Sequence, residues 1–197
     1  MTGLQREDAA FPDDIWEDLS ISFARATLLG VLSPIPFLVL FVGGFALLHP
    51  EMRLIADLMH HRGPVDVILF VSSFIAGIIL HEALHGLTWV VMGRKTFRDL
   101  RFGVHWASLS PYTHLAVSIP ARAYRIGCLV PFLALGAVPC LVSLFTENAI
   151  LLLYGAIFTI GAGGDLTVIW IIRHVDAGTP VMDHPSRVGC YRMRNSH

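Results

Sequence analysis

Between Arg25 and His49 the chain carries no charged residue. The apolar run inside it, 27–48, is long enough as a helix to cross the roughly 30 Å hydrocarbon core of a bilayer. Three more runs follow. One covers 65–92, broken by Asp66 near its start and by His81, Glu82 and His85. Another covers 126–145, and the last covers 149–172, with Asp165 as its one charged residue. A lipid environment leaves backbone polar groups no partner but the segment's own, so such runs become helices. The expected fold is an all-α membrane protein with four transmembrane helices in a single integral-membrane domain, 1–197. Ser33-Pro34-Ile35-Pro36 predicts a kink in the first span. Thr146-Glu147-Asn148 is short enough to make the last two spans an antiparallel hairpin.

Composition agrees. Hydrophobic residues make up 54% and charged residues 15%, against about 25% charged in an ordinary soluble domain. A net charge of −1 excludes the strong basic field of a nucleic-acid binder. Cys128, Cys140 and Cys190 are an odd number with no C-x-x-C, which fits neither a disulfide framework nor a cysteine zinc site.

Orientation is read from lysine and arginine. With the N-terminus cytoplasmic, the inner segments hold 12 of these residues, and the outer ones hold Arg53 and Arg62 alone. The positive-inside rule therefore puts both termini in the cytoplasm and makes this a multi-pass protein of a cytoplasmic membrane. Segment 1–25 is acidic (Glu7, Asp8, Asp13, Asp14, Glu17, Asp18). Around Phe11, Ile15, Trp16 and Leu19 it reads either as a short amphipathic helix on the membrane surface or as a frayed terminus. Segment 97–120 is rich in β-branched and aromatic residues, has a Ser110-Pro111 turn signal and lacks helical periodicity. It predicts a cytoplasmic or re-entrant β-like hairpin between helices 2 and 3. The tail, 173–197, reads as irregular and cytoplasmic.

The second span contains His81-Glu82-Ala83-Leu84-His85. Residues i and i+4 share a helix face, so two imidazoles can meet one zinc ion, and the glutamate can take a proton from water polarised by it. Ionisable groups inside a membrane helix cost about 2.5–3.5 kcal/mol each, which asks for a functional reason. A catalytic zinc needs a third protein ligand. Asp165 lies seven residues before Ile172, as His85 lies seven before Met92, so both sit roughly 10 Å below the same membrane face. The expected ligands are His81, His85 and Asp165, with Glu82 as the general base and one Zn2+ per chain. Gly86, Gly161, Gly163 and Gly164 are expected to let the two helices approach closely.

The sequence resembles a bacterial family of membrane zincin peptidases catalogued as a domain of unknown function. The resemblance rests on His81-Glu82-Ala83-Leu84-His85-Gly86-Leu87, on Pro111-Tyr112-x-His114 and on Gly164-Asp165. Asp183-His184-Pro185 and Gly189-Cys190 in the tail are also similar. It covers about 75–190 and extends distantly to the site-2 zinc metalloproteases, though their Asn-Pro-x-x-x-Leu-Asp-Gly element is absent. It implies the same three ligands, with Glu82 as base, in an intramembrane or juxtamembrane peptidase acting on a membrane protein or peptide. The alternative is a non-enzymatic metal-ion pathway, sensor or scaffold built on the same polar cluster. Phe102 to Ser108 is the expected edge for an extended substrate. His105 and His114 read as surface or packing residues, or as donors to a transition-state oxyanion, with Tyr112 a weaker contact. His60 and His61 fall on the outer side, and His174 and His184 are expected to be solvated. Besides the lipid bilayer and its substrate, the chain offers Gly43-Gly44 as a face for homo-oligomer contact.

Overall fold

The computed structural model describes residues 15–51, 63–105 and 110–194. The chain is mostly helical, with some strands. Helices α1 (Phe23–Leu32) and α2 (Ile35–Leu48) form one apolar rod interrupted at Ser33-Pro34, where proline cannot continue the hydrogen-bond ladder. α3 (Pro64–Gly93) is a continuous 30-residue helix. α4 (Ala121–Pro131) runs through a π-helical stretch, Phe132–Ala137, into α5 (Val138–Thr146). The π stretch has a local cause. Pro139 has no N–H to give, and the ladder shifts so that Val138 N–H reaches the Leu133 carbonyl. α6 (Ala149–Gly161) and α7 (Gly163–Ile171) are bent by 44° at Ala162. Among the described residues, three helices are thus long and apolar enough to cross a membrane, or four if the bent pair is one span.

The hairpin between α5 and α6 turns at Glu147, which is left-handed at φ 53°. Asn148 then caps α6 by accepting from the amides of Ile150 and Leu151, both at 3.0 Å. Outward-facing Leu47, Val65, Ile79 and Phe145 leave an apolar belt on the bundle.

The β-like segment expected at 97–120 is a hairpin, and beyond it the all-α expectation needs correction. Strands β2 (Leu100–His105) and β3 (Ser110–Leu115) pair antiparallel from Leu100↔Leu115 to His105↔Ser110. A separate four-stranded sheet has the order β1-β6-β5-β4, from β1 (Trp16–Asp18), β4 (Ile119–Pro120), β5 (Pro180–Asp183) and β6 (Cys190–Met193). The tail is therefore not irregular, and Trp16–Asp18 is strand rather than amphipathic helix. Residues 1–14 of that predicted helix lie outside the described residues. β1 and β6 pair Trp16 with Met193 and Asp18 with Tyr191. Such short strands gain stability from partners far away in the chain, and no local pattern announces them.

The main core lies where hairpin, sheet and helices meet. Trp89, Leu115, Ile119, Tyr124, Cys128 and Ile172 are buried together there. The Arg125 guanidinium closes the end of α7, donating from Nη1 to the Ile172 and Val175 carbonyls at 2.9 Å each.

Candidate metal centre

His81 and His85 project from one face of α3 toward the first turn of α7, where Asp165 stands. His81 Nε2 lies 3.2 Å from Asp165 Oδ2, and His85 Nε2 lies 3.3 Å from Oδ1. One ligand atom from each of the three residues falls within 4.8 Å of the other two. The cluster is sheltered but reachable, with the His85 side chain 6% exposed and the Asp165 side chain 21%.

Three features of the surrounding backbone hold this arrangement. The bend at Ala162 starts α7 just ahead of Asp165, so the carboxylate sits where a helix N-terminus favours negative charge. The Gly163 carbonyl accepts hydroxyl bonds from Ser33 at 2.9 Å and Thr167 at 2.8 Å. The His85 Nδ1–H donates to the Gly127 carbonyl at 3.0 Å. That bond leaves the lone pair of a neutral His85 on Nε2, the atom that faces Asp165. His85 also stacks on Trp89, and Trp89 on Tyr124, with centroids 5.3 Å apart in each case. The Trp89 indole is itself pinned to the Tyr124 carbonyl.

Two imidazoles and one carboxylate, each orienting a donor atom to a common point, form a donor set that suits zinc. The fit rests on convergence and on the tautomer that Gly127 imposes. Glu82 lies on the next face of α3. Its carboxylate accepts from the Thr113 hydroxyl at 2.9 Å, and the same hydroxyl is 3.0 Å from the Glu82 main-chain carbonyl.

The glycines act differently from expectation. Gly86 faces the hairpin rather than α7: a Cβ there would come within 2.8 Å of Leu100 Cδ1 and 3.1 Å of Phe102 Cζ. Gly163 abuts the main chain of Gly30 on α1, and Gly161 and Gly164 are open to 4 Å. The α3–α6 contact is made instead at Gly77, against Tyr154 and Phe158. Spacing alone shows that glycines line a helix, but which neighbour each one meets depends on helix rotation.

His114 is turned away from the three-residue cluster. Its Nδ1 pairs with Asp183 Oδ2 at 2.9 Å, and the buried Tyr124 hydroxyl donates to Asp183 Oδ1 at 2.7 Å. His184 is buried, not solvated. Its Nδ1 accepts from the amides of Ser186 and Arg187, and Nε2 contacts the Tyr191 hydroxyl at 3.1 Å. Tyr112 lies half-exposed over Gly103. His174 is exposed. His60, His61 and the side chain of His105 lie outside the described residues. The three cysteines are free and buried. Thr113, Gly127, Tyr124 and Asp183 escape a reading for chemistry by composition. For Thr113 the available signal was strand alternation, which puts it on the buried face with Leu115.

A family described as "Putative zincin peptidase" matches residues 74–179 of this 197-residue chain. The chain belongs to that family. Membership implies a zinc-dependent peptidase. The matched region holds His81, Glu82, His85, the hairpin and Asp165, and it stops short of β5 and β6. Searches of curated proteins and of solved structures return no match.

Proposed function

We propose that this chain is a membrane-embedded zinc metallopeptidase that hydrolyses peptide bonds of a membrane protein or peptide. The observation that carries the reading is the convergence of His81, His85 and Asp165 within 4.8 Å, with the Glu82 carboxylate on the adjoining helix face. His81 Nε2, His85 Nε2 and one Asp165 oxygen would hold one zinc ion per chain. When bound, zinc supplies a Lewis acid for the scissile carbonyl and lowers the pKa of water. Glu82 takes the proton from the attacking water and delivers it to the leaving amine. Gly127 and the Trp89–Tyr124 stack keep His85 in the orientation that ligation needs.

With the sheet end of the bundle facing the cytoplasm, as the arginine distribution favours, water reaches the site from that side. A substrate peptide bond within a transmembrane helix is shielded by its own hydrogen bonds, so the substrate must unwind locally. The outer edge of β2 offers the extended segment a strand partner, with Phe102 and Val104 exposed beside it. The setting is a bacterial cytoplasmic membrane. Gly43 and Gly44, whose Cβ positions are open, leave a smooth face for a second copy.

The test is metal content, then turnover. Full-length protein in mild detergent should retain about one zinc per chain, and Asp165→Ala should lose it. Glu82→Gln should keep the metal and lose hydrolysis. Wild-type protein that takes up no zinc at neutral pH would refute the reading.

A further inference from the structure

The Glu82 carboxylate ends a side chain with three rotatable bonds, and as a base it must stay aimed at one point. Among the described residues one side chain hydrogen-bonds that carboxylate, and it is Thr113 from the hairpin. The Thr113 hydroxyl also lies 3.0 Å from the Glu82 main-chain oxygen. It therefore touches the base at both ends of the residue, which fixes the side chain relative to its own helix turn.

The hairpin that carries Thr113 is itself tightly placed. Leu115, two residues on and on the same face, is wholly buried. Gly86, one turn along α3 from Glu82, makes room for Leu100 and Phe102 of β2. On the opposite face His114 is tied to Asp183, which also holds the Tyr124 hydroxyl. A closed circuit of contacts thus runs from His85 through Trp89, Tyr124, Asp183 and β3 to Glu82, and back to His85 along α3.

We propose that Thr113 is a positioning residue through which the β2–β3 hairpin orients the Glu82 carboxylate. The inference rests on the peptidase reading given above, and it deepens that reading. All six residue pairs of the hairpin are in register. An extended peptide added to β2 would therefore be held by the same rigid unit that aims the base. That favours substrates able to present an extended stretch of backbone over those whose cleavage region stays helical.

The test compares Thr113→Val, which keeps shape and β-branching but removes the hydroxyl, with Thr113→Ser, which keeps the hydroxyl. Zinc-loaded full-length protein is assayed on fluorescent unfolded β-casein. Thr113→Val should retain its zinc and its KM while kcat falls about 10- to 100-fold, the scale of a misplaced catalytic group. Thr113→Ser should recover most of the rate. A valine variant with wild-type kcat overturns the proposal. If wild type cleaves casein no better than Glu82→Gln, the peptidase reading fails on this probe, and the contact is read without turnover. The infrared difference spectrum between wild type and Glu82→Gln isolates the Glu82 carboxylate band. Thr113→Val should shift that band and Thr113→Ser should restore it; a band that does not move in the valine variant overturns the inference. Should the valine variant lose its zinc, the same spectrum is taken on Thr113→Ala, with the same two outcomes.

Discussion

Gly163→Ala is the sharpest probe of how the fold sets Asp165. A Cβ at residue 163 would overlap the Gly30 carbonyl oxygen and stand 2.9 Å from its carbonyl carbon. Both partners are main chain, so no rotamer change relieves the clash, and α1 and α7 must separate by on the order of 1 Å. Overpacking of this kind costs about 1–3 kcal/mol. The movement also pulls on the hydroxyl bonds from Ser33 and Thr167 to the Gly163 carbonyl. Asp165 lies two residues further along the same helical turn. Metal–ligand distances tolerate only about 0.2 Å, and disturbing the shell behind a ligand weakens metal binding about 10- to 100-fold. Competition with a calibrated chelator should therefore find zinc affinity reduced by that factor in Gly163→Ala. Two neighbours serve as controls. Gly164→Ala meets nothing within 4 Å, and a Cβ at Gly30 meets its nearest atom at an ordinary 3.8 Å. Both should bind zinc as wild type does. Wild-type affinity in Gly163→Ala, or equal loss in Gly164→Ala, would refute the reasoning.

Burial pushes the Cys190 thiol up to about 12, so folded protein at pH 8 should resist iodoacetamide there, and mass spectrometry should find Cys190 modified only after unfolding. At Asp18 burial works to raise the carboxyl pKa, but hydrogen bonding from Ser20 and the positive charge of Arg187 outweigh it and hold the group below its ordinary value. A depressed pKa contributes stability at neutral pH that is lost as pH falls through the folded value. The melting-temperature gap between wild type and Asp18→Asn should therefore be open at pH 7 and close below about pH 4. Asp183→Ala strands the Tyr124 hydroxyl and the His114 imidazole, at about 1–3 kcal/mol for a buried group left unpaired. Amide hydrogen exchange should accelerate across 112–115 and across 181–183 of β5, while exchange in α6 stays as in wild type.

Much of the site was legible because its chemistry is local or set by depth. His81, Glu82 and His85 lie on one helix, and an i, i+4 spacing fixes their relation before any packing occurs. Asp165 could be matched to them by counting residues from the ends of the apolar runs, and the fold brings the three within 4.8 Å. The hairpin was legible from residue type between two spans. The C-terminal sheet was not, since β1 meets β6 across more than 170 residues and each strand has only two to four residues. The partner of each glycine was not legible either, because periodicity says how often a face recurs and not where it points.

The sequence by itself determined the apolar helices and the His-Glu-His helix face, since each follows from residue pattern and backbone geometry. Only the tertiary structure decided that Gly163 lies against Gly30, that Gly86 admits the hairpin, and that Thr113 reaches Glu82 while His114 turns to Asp183. Those contacts depend on how helices rotate and strands pair over long separations, where many weak interactions act together and no single residue announces the outcome.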